Sequence, residues 1–432
     1  MSDMINEEGV SRRSVLKGAA AGAAVVAAGG LLGATAGSTA ANAANLTASF
    51  GSNNSNPPGP KEDAAWVAAA AAAGIDVKLN VVDHNTFQNQ INTYLQGTPD
   101  DVFDWFAGYR MQFFAKKGLL TPATAVWAKI NSDFAPGFKA ASTGLDGKQY
   151  LVPTDWYPWA LHYRKSVWKA AGVNPQSIKT FADLVAACKV FKSKGYIPMA
   201  MADKGGWEAM GTFDIINMRT NGYQFHVDLM AGRAKWTDPR VQKTFANWKT
   251  LIPFQNKSPL NETDQTAGTM VLQKKAAMIM MGSFTSGLYT NKADYNDLAL
   301  IPFPSINPAY GTDSIDAPID GVLMSNAAAK NLPAAEALME FIASTKFSDT
   351  ITAIAPGLFA NKHAKVSSDP FIQSQVKLVN ATKHVAQFLD RDTRPDFAYP
   401  IVSAAIQKFL TGGDSVAIAK NLQAQWDALP PA

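Results

Sequence analysis

Apolar and polar positions alternate with a period of two at two places early in the chain. Leu46, Ala48 and Phe50 share one face of a first predicted strand, and Ile75, Val77, Leu79 and Val81 make a second. Between them the polar run from Gly51 to Pro60 predicts a turn, and the alanine-rich stretch from Lys61 to Ala73 a helix ended by Gly74. Phe87 to Leu95 reads as a further helix, stopped at Gly97. The stretch from Thr98 to Leu120 repeats the scheme: an aromatic strand from Val102 to Phe106, Gly108, then a helix with Met111, Phe114 and Ala115 on one side, closed by Gly118. Strand and helix alternate three times in about 75 residues, which predicts an open, mostly parallel α/β sheet.

A second region begins at the aromatic run from Tyr150 to Tyr163, where a crossing between lobes is placed. Thr180 is set to cap a helix from Phe181 to Lys194, and Ile197 to Met201 reads as a short buried strand. A loop at Gly205-Gly206-Trp207 leads to a helix around Phe213 to Met218. Thr237-Asp238-Pro239 reads as a helix start, followed by the stripe Val241, Phe245, Trp248 and Ile252. Asp264 to Gln273 predicts another helix. Ala276 to Met281 predicts an apolar strand, and Leu298 to Phe303 one that leads into a return crossing. Ile319 to Met324 is a further strand, Pro333 starts a helix, and everything from about Phe347 onward reads as helical. The 432 residues exceed one ordinary core. The expected division is 1–43 as a removed signal, 44–155 with 300–345 as a first lobe, and 156–299 with 346–432 as a second.

Composition narrows the partners. With 47% hydrophobic and 17% charged residues and a net charge of +4, the chain is globular and has no footprint for nucleic acid or a membrane surface. Residues 1–43 resemble a twin-arginine export signal, with Arg12-Arg13, an Ala/Gly-rich run from Gly18 to Gly37 and the small residues Ala41-Asn42-Ala43. A transmembrane anchor is the other reading, and a run made mainly of Ala and Gly is a weak span. The single cysteine, Cys188, lies on an apolar helical stripe, forms no intrachain disulfide and is expected in the core. No cysteine near the signal offers a lipid anchor.

Tyr109 and Arg110 stand at a strand-to-helix junction, where open α/β sheets form ligand crevices, so packing and ligand contact are both open for them. Phe113 and Phe114 read as packing. Phosphate-binding glycine loops and a nucleophile elbow are missing. The five histidines are isolated in sequence, which predicts neither a zinc site nor another cofactor. Asp294-Tyr295-Asn296-Asp297 reads as a turn. Paired carboxylates for glycoside hydrolysis come from distant positions and leave a secreted carbohydrate-active hydrolase as an alternative.

Four segments together carry a resemblance: PDDVFDWFAGYRMQFFAKKGLLTP (99–122), WYPWALHYRKSVWKAAGV (156–173), KWTDPRVQKTFANWKTL (235–251) and QKKAAMIMMGSF (273–284), the last followed by LALIPFP (298–304). In this order they resemble the carbohydrate-type extracellular solute-binding proteins of ABC importers, similar in layout to maltose-binding protein. The resemblance implies two α/β lobes joined by hinge crossings, a sugar in the cleft and closure by hinge bending. The implied product is a monomeric, non-enzymatic receptor, in the periplasm or outside the cell. It would deliver a mono- or oligosaccharide to membrane permease subunits, after passage through the twin-arginine machinery; a non-sugar solute is the other reading within the binding class. By the same resemblance, ligand-binding positions fall at Ser52, Asn53, Asn54, Tyr109, Arg110, Trp156, Tyr157, Trp159, Trp207, Ser283 and Phe284, with Asp316 and Asp320 as further candidates facing the cleft. Asp104 departs from the family pattern, being a carboxylate inside an apolar strand.

Overall fold

A computed structural model describes residues 45–430; the expected signal at 1–43 lies outside them. Two sheets organise the chain. The first runs in the order Leu358–Phe359, Leu151–Trp156, Ile319–Ser325, Val102–Phe106, Leu46–Ser52, Ile75–Val81, with Leu120–Thr121 paired to the end of Ile319–Ser325. The second runs Ile197–Ala200, Ala276–Gly282, Trp159–Arg164, Leu298–Ile301. Helices cover both, giving two α/β lobes. Among the described residues no helix is long and apolar enough to cross a membrane.

The sheets are mixed rather than mostly parallel. Leu46–Ser52 is parallel to both Ile75–Val81 and Val102–Phe106, and Ile197–Ala200 is parallel to Ala276–Gly282. The remaining ladders of the two sheets are antiparallel. The cause is the path of the chain. Strands joined by a local crossover helix enter parallel, whereas those that come back from the other lobe, such as Ile319–Ser325, enter from the opposite end.

The chain leaves the first sheet at Trp156 and enters the second at Trp159, so Tyr157-Pro158 forms the first crossing. The return lies between Ile301 and Ile319 and includes Ser314–Asp316, which pairs in parallel with His384–Ala386. A third crossing follows Phe359. The stretch from 346, expected with the second lobe, first continues the first lobe. Helix Thr345–Thr352 packs on Gly59–Ala71 through Phe347 and Trp66, 6.1 Å between ring centroids, and Leu358–Phe359 joins the first sheet. Only from Pro370–Asn380, which packs on Leu298–Ile301, does the chain belong to the second lobe.

Local chemistry explains the helix boundaries. Thr180 and Asp183 form a reciprocal capping box on Phe181–Ser193, and the Asp238 side chain caps Pro239–Leu251 with proline in the first turn. Gly108 has φ 76°, a left-handed conformation that a side chain disfavours. It lets the chain turn from Val102–Phe106 directly into helix Tyr109–Lys116. Cys188 is fully buried, and burial pushes its thiol up to about 12. The stretch read as a turn at Asp294–Asp297 is a short helix, Lys292–Asp297; Arg164 binds Asp294 and Asp297 at 2.5 and 2.8 Å.

Candidate functional site

A cavity of about 670 Å³ lies between the lobes, at the carboxyl ends of the first parallel strands. Its first-lobe wall is acidic. Val102, Asp104 and Phe106 share one face of their strand, and Phe103 and Trp105 the other, so the period of two turns Asp104 toward the cavity. Its Oδ2 accepts the backbone N–H of Asn53 at 3.3 Å. Burial, then the charge of Asp63, pushes its carboxyl well above the usual range. That resolves the residue which departs from the family pattern: it is part of the site.

Asp155 and Asp320 face each other across neighbouring antiparallel strands. Burial and then Asp320 push Asp155 up to about 7. Asp320 is also raised by burial, although its Oδ1 lies 2.7 Å from Arg391 Nη1. Arg391 further donates to Ile319 O (2.9 Å) and to the Tyr157 hydroxyl (3.2 Å), and lies 4.3 Å from the Phe106 ring centroid. Glu62 and Asp63, at the start of helix Gly59–Ala71, complete this wall. Asn54 donates to Glu62 at 3.1 Å, and Trp66 Nε1 donates to Asp63 at 2.9 Å.

A chain of amides fixes the neutral histidine on the same side. Gln88 Oε1 accepts from Arg110 (2.8 Å) and from the Tyr399 hydroxyl (2.9 Å), so its Nε2 is the group 2.7 Å from His84 Nε2. His84 therefore accepts there and donates Nδ1–H to Asn53 Oδ1 at 3.1 Å. Burial, then Arg110, pushes this imidazole down to about 4.

The opposite wall is aromatic. Trp159, Trp207 and Phe284 meet one another at 6.0 to 6.4 Å, Tyr157 sits edge-on to Phe284 at 5.1 Å, and Trp159 packs on Phe388 at 4.9 Å. The indole N–H groups of Trp156 and Trp159 are buried and meet no acceptor among the described residues. Such donors cost free energy unless something supplies an oxygen.

Most expected site residues come together here. Asn53, Asn54, Arg110, Trp156, Tyr157, Trp159, Trp207, Ser283, Phe284 and Asp320 line the cavity. Ser52 lies beneath it, donating to Asp63 at 2.8 Å. Tyr109 stays outside the lining and is 36% exposed, because one helical step turns a side chain by about 100° from its neighbour. Arg110 is held by structure as well as facing the cavity. It pairs with Asp390 at 2.8 Å with both side chains buried, and lies 4.4 Å from the Trp105 ring centroid. Asp316 is fully buried in the strand pair at the crossing, away from the cavity. Sequence reasoning missed Glu62, Asp63, His84, Asp155, Asp390 and Arg391. Of these, Asp155 alone carried a signal, as the one acid within the aromatic run.

Oxygen acceptors opposite flat aromatic faces suit a ligand with several hydroxyl groups and an apolar ring face. The family of bacterial extracellular solute-binding proteins matches residues 56–347. Two uncharacterized ABC transporter extracellular-binding proteins of Pyrococcus horikoshii are similar. One is 26% identical over 67% of this chain and 65% of its own length, the other 30% identical over 48% of each. The chain thus spans about half to two thirds of the length of these curated relatives. The solved bacterial solute receptor AcbH, described as having an exclusive substrate preference for β-D-galactopyranose, is 37% identical, with a TM-score of 0.85 over 89% of this chain and 99% of that one. A family match across most of the chain and a two-lobed relative aligned over nearly its whole length lead to one assignment: this chain belongs to the bacterial extracellular solute-binding proteins.

Proposed function

We propose that the protein is a sugar receptor that closes its two lobes on a mono- or oligosaccharide and delivers it to the permease of an ABC importer, without chemistry of its own. The observation that carries this reading is the acidic wall of Glu62, Asp104 and Asp155 opposite the rings of Trp159, Trp207 and Phe284. Carboxyl oxygens accept sugar hydroxyls, and the C–H face of a pyranose packs on a ring. The similarity to AcbH favours a single pyranose as the ligand, with galactose first. In the same reading the twin-arginine signal directs export, and the product acts as a monomer outside the cytoplasm.

Tryptophan fluorescence and thermal shift against a panel of mono-, di- and short oligosaccharides test this. A cognate sugar should change emission and, at a thousandfold excess over its Kd, stabilise the protein by about 4 kcal/mol. A panel that leaves both signals unchanged defeats the proposal. Hydrolysis of a nitrophenyl glycoside, lost on Asp155→Asn, would favour the hydrolase instead.

A further inference from the structure

Away from the ligand cavity, three metal-ligating side chains converge where the crossing strand pair meets the helices of the second lobe. Asp214 comes from helix Met210–Asn221, His226 from helix Tyr223–Met230, and Asp316 from the end of Ser314–Asp316. All three are fully buried, and one ligand atom of each lies within 4.8 Å of the others. They are dispersed in sequence, with no pair at a metal-ligand spacing, which is why the motif reading gave no metal site.

Buried carboxylates are normally met by donors or by a cation. Asp214 Oδ2 accepts the backbone N–H of Leu389 at 2.7 Å, but its Oδ1 has no donor and lies 4.0 Å from His226 Nδ1. Neither carboxylate oxygen of Asp316 is met by a donor among the described residues. The nearby Arg219 does not fill this role. Its Nε is taken by Phe303 O at 3.0 Å and its Nη1 by Ser314 O at 2.6 Å, and it forms no ion pair with Asp316 among the described residues. A third carboxylate, Asp392, is close enough to Asp214 and Asp316 to add its like charge. Asp392 Oδ2 itself accepts the backbone N–H of Gln387 at 2.7 Å. Burial is the main cause that raises the carboxyls of Asp214 and Asp316, and the charge of Arg219 offsets part of this at Asp316.

The imidazole is oriented for a cation. Asn217 Oδ1 already accepts from Asn221 (2.8 Å) and Thr244 (2.9 Å), so its amide nitrogen is the group 3.3 Å from His226 Nδ1. Nδ1, 4.0 Å from Asp214 Oδ1, is thereby the unprotonated nitrogen, the state that metal ligation requires. A bound ion would draw the Nδ1 lone pair away from Asn217.

We propose that Asp214, His226 and Asp316 bind one divalent transition-metal ion of the Zn²⁺ or Mn²⁺ class and so fasten the crossing strand to the second lobe. Two carboxylate oxygens and one imidazole nitrogen form a mixed donor set of the kind these ions take, whereas Ca²⁺ selects oxygen ligands alone. Water can supply a fourth ligand. This inference is independent of the ligand in the cleft.

The test uses the exported chain, stripped of metal by chelation and dialysis, then incubated with ZnCl₂, MnCl₂ or CaCl₂ and passed through a desalting column. Elemental analysis should find one Zn²⁺ or Mn²⁺ retained per chain, with a rise in Tm, and X-ray absorption should show imidazole among the nearest neighbours. Asp316→Asn and, separately, His226→Gln should each lose the retained ion. Three results overturn the proposal. One is no retained Zn²⁺ or Mn²⁺ in the unsubstituted chain. Another is retention unchanged in a folded Asp316→Asn variant, which would locate the ion at a surface pair such as His363 and Asp133. The third is retention of Ca²⁺ in preference to both other ions.

Discussion

The indole N–H of Trp207 donates to Asn85 Oδ1 at 3.0 Å, and the two residues belong to opposite lobes. His84, next to Asn85, sits edge-on to the same indole at 6.1 Å, so one short stretch of the first lobe grips a ring of the second. The bond lies beside the cavity and joins the two lobes, so an opening of the cleft would break it. Asn85→Ala should therefore leave the open protein as it is and weaken the closed one. One neutral hydrogen bond is worth about 1 kcal/mol, which corresponds to roughly fivefold in Kd. Stopped-flow release of the cognate sugar should show most of that change as a faster off-rate.

Removal of Arg110 should harm the fold as well as the cavity. Arg110→Ala leaves buried Asp390 to the longer, 3.9 Å contact with Arg391 and deprives Gln88 of a donor. Breaking a buried pair in this way costs about 3–5 kcal/mol. Urea denaturation of the free protein should show this loss, and Asp390→Asn added to Arg110→Ala should recover part of it. An Arg110→Ala variant as stable as the parent would mean that the pair contributes nothing to the folded state.

The pH dependence of Asp155 has a definite sign. Its folded-state pKa is pushed up to about 7 from the ordinary 3.8, so the folded protein holds that proton more tightly than the unfolded chain. Its contribution to stability is fully present below about pH 4 and is lost as pH rises through about 7. Asp155→Asn, which cannot ionise, should gain stability relative to the parent steadily across that window. His84 acts with the opposite sign: pushed down to about 4 from 6.5, it contributes stability above that range that is lost on acidification. Thermal melts of the parent, Asp155→Asn and His84→Gln between pH 4 and 8 separate the two slopes.

Gly211 is a packing constraint on the aromatic wall. A Cβ there would lie 2.4 Å from Trp159 Cε2 and 2.8 Å from Phe388 Cε2. Gly211→Ala should cost about 1–3 kcal/mol in stability, as overpacking does, and push the Trp159 ring into the cavity. Fluorescence titration should find weaker sugar binding, whereas Gly311→Ala, outside the cavity lining, should leave Kd unchanged.

The lobes were legible because their elements are long and periodic: alternation from Ile75 to Val81, the capped helix after Thr180 and the apolar run from Ala276 all form as read. Leu358–Phe359 and His384–Ala386 were not, because strands of two or three residues have no period to detect. Half of the site was legible through its aromatic rings. The other half depends on partners far apart in sequence, such as Asp390, which reaches Arg110 across 280 residues. Asp316 and Asp320 look alike in sequence, but Ala317-Pro318 breaks the strand between them. One enters the crossing pair and the other the first sheet, so only Asp320 meets the cavity.

Ile319–Ser325 lies between Val102–Phe106 and Leu151–Trp156 in the first sheet. That position sets the order in which the molecule can be built. A nascent chain that has reached Ile301 already holds all four strands of the second sheet, while the first is still a group of three paired strands and the separate strand Leu151–Trp156, with open edges. The missing strand arrives only after about 160 further residues have followed Trp156, and that long closure makes it a late folding step. The sheet that is begun first is joined only after the second sheet is complete, and until then its exposed edges need protection from pairing with another chain.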